Sequence, residues 1–428
     1  DSMLIMVADS FKNSIAPLVE WKRAKGIKVQ VATLSEAGGT KEKVKAFVQN
    51  VYDTSTPKLA YLLMVGNKTT MPPYMEPTSS GSAASDLKFA QVSGTDYIPD
   101  IFFGRLVADN ETELNAQMTR WIQYEKDAVA ESWYPQATTI ASSDTQGGKP
   151  YDNEYAQMIL DDLQKNTYTK GDLFWQGNQT ATPSNISSSI NNGRTWLTYI
   201  GHGSGTGWGS TNGSFSNSNV ASLQNSNKLL FLTDVACDNA SWVKLSPCFG
   251  KAWVTHTANG KNAEVVAYYG GSVSISCHEP ALMSTGIAKY HFEKSLHTVG
   301  ATVIAGQLYL VEKMGSGANV QDNFEWYNLF SDPSLQLRTA TPQTYNVKLK
   351  VRNRVGDRVS VEVQAVNASE QPVPGLLTSL SKDGGEPLAT AKTNEAGKAV
   401  LALPNALEPN TKLTVTGYNS LTVQKLVN

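Results

Sequence analysis

Two short apolar runs, Leu197-Thr198-Tyr199-Ile200-Gly201-His202-Gly203 and Leu229-Leu230-Phe231-Leu232-Thr233-Asp234-Val235-Ala236-Cys237, each lead to a residue that nucleophilic catalysis uses. Both pass from apolar residues into Gly or small polar ones, the pattern of parallel strands buried on both faces. Such strands present their last residues at one edge of a sheet, and open α/β sheets bind ligands at that carboxyl edge. A thiol and an imidazole brought together there form a dyad, in which the imidazole takes the thiol proton and the thiolate attacks a carbonyl. A strand-end Cys alone is more often a small buried hydrophobe than a nucleophile. The surroundings of Cys237 and His202 taken together point to chemistry. His202 opens a Gly-rich loop that gives an imidazole little to pack against, whereas His256, His278, His291 and His297 lack that setting.

His202-Gly203-Ser204 with Trp208 following, and Asp234-Val235-Ala236-Cys237 with Pro247-Cys248-Phe249 following, resemble the signatures of the gingipain family of cysteine peptidases, in the caspase-like clan. Further similar segments follow in order: Trp21-Lys22 with Lys25-Gly26, Leu62-Leu63-Met64-Val65-Gly66, Asp96-Tyr97-Ile98-Pro99-Asp100 leading to Phe103-Gly104-Arg105, Tyr124-Glu125, and Phe330-Ser331-Asp332-Pro333-Ser334-Leu335. The resemblance implies a cysteine endopeptidase acting on proteins or peptides, with Cys237 as nucleophile and His202 as general base and acid. It implies that the N–H groups of Gly203 and Cys237 hold the oxyanion, with the missing Cβ of Gly203 letting substrate approach the main chain. Asp144 matches in order an acid that contacts the catalytic imidazole and would orient the ring. An Asp at a strand end is also ordinary turn chemistry.

Asp152, in Tyr151-Asp152-Asn153-Glu154, matches the acid at the bottom of the S1 pocket in arginine-specific gingipains, with Glu154 as the alternative because the intervening loop is shorter here. A buried carboxylate facing a guanidinium makes a bidentate, discriminating contact, so the resemblance implies cleavage after basic residues, arginine over lysine. Where the family has a Trp on the S1 wall this chain has Ser276, Cys277 or His278, and Trp208 joins the expected substrate-binding set. Asp96, Asp100 and Asp86 lie where gingipains bind calcium, a hard cation that takes several oxygens, so a structural calcium is expected and no catalytic cofactor. The resemblance further implies a monomer, exported from a bacterium or held at its surface, whose N-terminal prodomain has been cleaved off.

The elements that must position these residues are legible as a rhythm. Strand-like runs at Met3 to Ala8, Ile27 to Thr33, Leu59 to Val65 and Ile101 to Arg105 alternate with helical stretches such as Glu111 to Lys126, as in a parallel sheet covered by helices. After a Pro-containing link at Ser132 to Gln136 the runs restart at Ala137 to Ser142, Thr195 to Ile200, Leu229 to Leu232, Val265 to Tyr269 and Ala301 to Ala305. From about Thr341 alternating strands without helices, punctuated by turns such as Asp383-Gly384-Gly385, suggest an immunoglobulin-like β-sandwich. The expected fold is therefore α/β and caspase-like: an N-terminal α/β subdomain over 1–131, a catalytic one over 132–340, and the sandwich over 341–428.

Composition narrows the alternatives. A net charge of -2 from 36 basic and 38 acidic residues gives no bulk electrostatic reason to expect nucleic acid or an anionic membrane surface. No apolar stretch approaches the ~20 residues that span a bilayer. Three Cys is an odd number for a disulfide framework, leaving at least one thiol free. Gly201 to Gly209 is Gly-rich after a strand, yet no register gives G-x-G-x-x-G and no Walker motif occurs, which sets nucleotide binding aside. The rival from another class is a peptidase-like adhesin or binding scaffold that no longer cleaves. Asn239 opens an Asn-x-Ser triplet, where a glycan would obstruct the cleft in a eukaryotic secretory path.

Overall fold

The computed structural model describes residues 1–145, 148–258, 261–262, 265–353 and 359–427. Its first sheet has four parallel strands, β1 (Ser2–Val7), β2 (Lys28–Thr33), β3 (Leu59–Val65) and β4 (Phe102–Leu106), in the order β2-β1-β3-β4. All six residues of β1 are buried, as a strand covered on both faces requires. The helix Glu111–Lys126 packs between Ala16–Ala24 of this unit and the segments Phe249–Thr255 and Val265–Gly271, with Asn110 capping it by accepting from the Glu113 N–H.

The second sheet has six strands: β5 (Gln136–Ala141), β6 (Lys170–Trp175), β7 (Trp196–Ile200), β8 (Leu230–Val235), β9 (Val265–Gly271) and β10 (Tyr327–Phe330). Their order is β10-β9-β8-β7-β5-β6, with β10 alone antiparallel. β10 lies along β4 at the facing edges of the two sheets, and a Cβ on Gly104 would come within 2.3 Å of the Ser331 carbonyl oxygen. One apolar core runs through both sheets, from Met3 and Leu62 to Leu329 and Leu337.

One expected run and one strand depart from the expectation. Ala301 to Ala305, expected as a strand, lies inside the helix Val299–Met314, which packs on His278–Glu293. A helix apolar on nearly all sides reads as a buried strand over five residues. The close approach is permitted by Gly286 and Gly306, where an added Cβ would meet Tyr309 at 2.5 Å and Ile287 at 2.2 Å. The edge strand β6 is more polar and was not among the expected runs.

The C-terminal region is two antiparallel sheets. One holds Asn346–Asn353, Val359–Val366 and Lys398–Leu403, and the other Leu377–Lys382, Ala389–Lys392, Thr411–Thr416 and Val423–Leu426. Lys398–Leu403 alternates exposed and buried residues, and Val361, Val363, Leu380, Leu401, Leu413 and Val415 share the core between the sheets. No helix among the described residues is long and apolar enough to cross a membrane.

Candidate active site

Register places the chemistry. Val235 of β8 pairs with Ile200 of β7, which pairs with Ala141 of β5, so three adjacent strands end level. Just beyond that line come Cys237, His202 and Asp144. β9 flanks β8 and leads to Ile275, Ser276 and Cys277, and all six residues line one cleft together with Asp152.

His202 Nε2 is 2.9 Å from Asp144 Oδ2, with the ring largely exposed and the carboxylate largely covered. The ring's own loop is held from below: the His202 N–H donates to Ser210 Oγ at 3.0 Å, and Tyr199 OH donates to the His202 carbonyl at 2.8 Å. Cys237 is partly buried, and its sulfur accepts the Ile275 N–H at 3.4 Å. Burial pushes its thiol above the ordinary range, with the Ile275 N–H pulling the other way. The next residue, Asp238, turns the chain away with φ 60°, a left-handed conformation that Asp tolerates better than most.

Gly203 is pressed against the nucleophile's main chain. A Cβ there would lie 2.4 Å from the Cys237 carbonyl oxygen and 2.9 Å from its nitrogen. Among the described residues neither the Gly203 nor the Cys237 N–H has an oxygen acceptor. Two adjacent N–H groups without an oxygen acceptor, beside a thiol, are what an oxyanion needs.

Asp152 opens the helix Asp152–Lys165 and lies beside Asp144, with Ser142 linking them: the Ser142 hydroxyl donates to Asp152 Oδ2 and accepts the Asp144 N–H at 2.8 Å. Burial raises the Asp152 carboxyl, offset by the Ser142 hydroxyl and reinforced by the Asp144 charge. The alternative, Glu154, turns back to accept the Tyr151 N–H at 2.7 Å and caps the same helix. It lines a separate outer groove with Met158 and Asp161. Asp152, Tyr155, Cys277 and His278 line a small hollow that adjoins the cleft, where Tyr155 OH and His278 Nδ1 are 2.8 Å apart. Cys277 is exposed, and Ser276 donates to Glu279 Oε2 at 2.6 Å.

Two expectations need correction. Trp208 offers no surface to a substrate: it is fully buried, stacked on Tyr199 at 4.7 Å and Phe215 at 5.1 Å, and its Nε1 donates to Asp234 Oδ1. Asp86, Asp96 and Asp100 do not form a calcium donor set. Both Asp86 oxygens are taken by Arg105 at 2.6 Å, Asp100 Oδ2 accepts the Val92 and Ser93 N–H groups, and Asp96 Oδ1 accepts that of Ile98. Among the described residues no three His, Cys, Asp or Glu side chains are grouped to hold a metal.

All three Cys are free; Cys248 is fully buried, with burial pushing its thiol up to about 12, which leaves it inert. Tyr199, Ser210, Ser142, Asn239 and the side chain of Asp234 were not read from the sequence as parts of the site. Asp234 stands within the signature that ends in Cys237, but the role of its side chain, like those of the others, arises from contacts that no local pattern shows.

Fold and cleft together define a class: an α/β protein that gathers a thiol, an imidazole paired with a carboxylate, and free main-chain donors at the carboxyl edge of a sheet. Residues 1–338 match the model of peptidase family C25, and the chain belongs to that family. It is 29% identical over 437 residues to Gingipain R2 of Porphyromonas gingivalis, covering 99% of this chain and 56% of that protein. It is 24% identical over 451 residues to a Lys-gingipain of the same organism, covering 99% of this chain and 25% of that protein. The chain thus spans about half, or less, of the length of the curated relatives it matches. The crystal structure of the Arg-specific cysteine proteinase gingipain R superposes with a TM-score of 0.88 at 28% identity, covering 99% of this chain and 96% of that one.

Proposed function

We propose that this protein is a cysteine endopeptidase cleaving after basic residues, arginine before lysine, by a Cys237–His202 mechanism. The observation that carries this is the shared cleft, where Cys237 and the His202–Asp144 pair stand beside the Gly203 and Cys237 N–H groups, which have no oxygen acceptor among the described residues. With Nε2 bonded to Asp144, Nδ1 is the ring nitrogen left for the thiol. His202 takes the Cys237 proton, the thiolate attacks the scissile carbonyl, and the two N–H groups stabilise the oxyanion. The imidazolium, held by the Asp144 charge, then protonates the leaving amine, and His202 activates the water that releases the acyl group.

Asp152 supplies the negative charge for the P1 side chain, in a partly dry setting where a guanidinium gains most. The identity of 29% to gingipains R against 24% to Lys-gingipains supports arginine as the better substrate. The wider reading is an enzyme exported by a bacterium as a zymogen, with three units over 1–131, 132–340 and 341–428, the last an immunoglobulin-like sandwich. A solved complex of the pro- and mature domains of a relative from Porphyromonas gingivalis supports the zymogen.

A peptide panel varied at P1, with reductant present, tests the proposal. Cleavage after Arg and, more slowly, Lys is expected, abolished by Cys237→Ala, with Asp152→Asn losing the basic preference. Persistent cleavage by Cys237→Ala, or a profile led by aliphatic or acidic P1, would overturn it. A folded chain that neither cleaves nor reacts with thiol-directed labels would be the silent scaffold.

A further inference from the structure

Asp234 is the third-last residue before the nucleophile, yet it faces away from the cleft and is fully buried among Leu230, Leu232, Phe330 and other apolar side chains. A carboxylate in such surroundings is costly unless hydrogen bonds satisfy it. Three groups from three segments do so. Trp208 Nε1 donates at 2.9 Å, Asn239 Nδ2 at 3.0 Å and Tyr268 OH at 2.5 Å. Trp208 belongs to the loop that carries His202 and Gly203, and it bridges to Gly203 across a short antiparallel contact. Asn239 belongs to the loop that carries Cys237, and is itself fully buried. Its Oδ1 accepts the Gly205 N–H at 3.1 Å, so the Asn239 amide ties its own loop to the His202 loop through one end and to Asp234 through the other.

Resting on the proposed peptidase reaction, we propose that Asp234 and Asn239 are positioning residues for the oxyanion site, a buried brace that fixes the Gly203 N–H against the Cys237 N–H. Neither side chain lines the cleft, and the Asp234 charge adds to burial in raising the Cys237 thiol rather than activating it. What they set is the separation of two loops whose main chains already touch, where a Cβ on Gly203 would fall 2.4 Å from the Cys237 carbonyl. Oxyanion donors act only when held to about half an ångström, so loosening the brace lowers the rate of acyl transfer before it lowers substrate binding.

The test compares two reactions of the same sulfur. Iodoacetamide alkylates a thiolate by displacement, with no oxyanion, whereas an Arg-containing peptide substrate passes through one. Asp234→Asn keeps the shape but turns an amide NH2 toward donors, and Asn239→Ala removes the loop bridge while leaving Asp234 two donors. Both are expected to lower kcat tenfold or more at unchanged KM, with Cys237 alkylation no slower than in the parent; in Asp234→Asn the loss of the charge that raises the thiol can only quicken it. Equal kcat in folded variants would overturn the proposal, as would hydrolysis and alkylation falling together, which would assign the pair to the fold alone. Asn239→Ala carries the test if Asp234→Asn does not fold. A parent chain with no Cys237-dependent hydrolysis would instead remove the peptidase reading itself.

Discussion

At the scale of single residues, the decisive pair is His202 and Asp144. The ring is exposed and the carboxylate covered, so the contact at 2.9 Å contributes little to stability, about 1 kcal/mol at most for an exposed pair. Its value lies in the imidazolium that forms when the Cys237 proton moves, because a charged acceptor stabilises that state and a neutral one does not. Asp144→Asn keeps the geometry and removes the charge. It is expected to lower kcat by one to two orders of magnitude with KM and melting temperature nearly unchanged, measured by steady-state kinetics and thermal unfolding. Unchanged kcat would take Asp144 out of the mechanism. The choice between Asp152 and Glu154 also belongs here. Order along the chain left both open, whereas helix geometry separates them, since side chains two positions apart point about 200° from each other. Asp152 faces the cleft and Glu154 closes the capping box.

At the scale of elements, legibility followed burial on both faces. β7 and β8 are buried throughout and mostly apolar, and they delivered His202 and Cys237 to one edge, as their sequences require. The same logic misread Ala301 to Ala305, because a helix buried all round shows no 3.6-residue periodicity over so short a run. It also left Asp234 and Asn239 unassigned, since nothing local marks a carboxylate whose three donors come from other segments. The helix pair has its own consequence for the site. His278–Glu293 begins where Cys277 and His278 wall the hollow beside Asp152, and Gly306 lets its partner helix approach closely. Gly306→Ala would place a methyl 2.2 Å from Ile287 Cγ1. Overpacking of this kind costs about 1–3 kcal/mol. A lower melting temperature and a raised KM for basic P1 substrates are expected, with Cys237 alkylation unaltered; an unchanged KM would show that the wall does not depend on this packing.

At the scale of the whole molecule, the C-terminal sheets are docked on the α/β body through contacts that differ in chemistry. Arg23 pairs with Glu386 at 2.7 Å near one end. At the other, His291 is fully buried, with Nδ1 3.0 Å from Thr302 Oγ1 and Nε2 3.0 Å from Tyr418 OH, while the His297 ring lies flat on Tyr418 at 3.6 Å. Burial lowers His291 to about 3, reinforced by the neighbouring His297, which burial also lowers together with the charge of Lys392. The sign follows from proton uptake. Below about pH 6.5 the unfolded chain protonates this histidine and the folded one does not, so stability falls as pH drops from there toward the folded value. For His291 alone the loss amounts to roughly 2–3 kcal/mol by pH 4.5. Asp234 acts in the opposite direction, because burial raises it to about 6 and protonation then favours the folded state between about pH 6 and 4. Total stability against pH therefore mixes both signs, and the histidine is isolated by comparing the parent with His291→Asn. The variant is expected to be less stable at pH 7.5, having lost a packed, doubly bonded ring, and to lose less further stability on acidification to pH 4.5. Parallel curves in thermal unfolding would show that His291 takes up its proton without strain, and that acid loosens the junction through other groups.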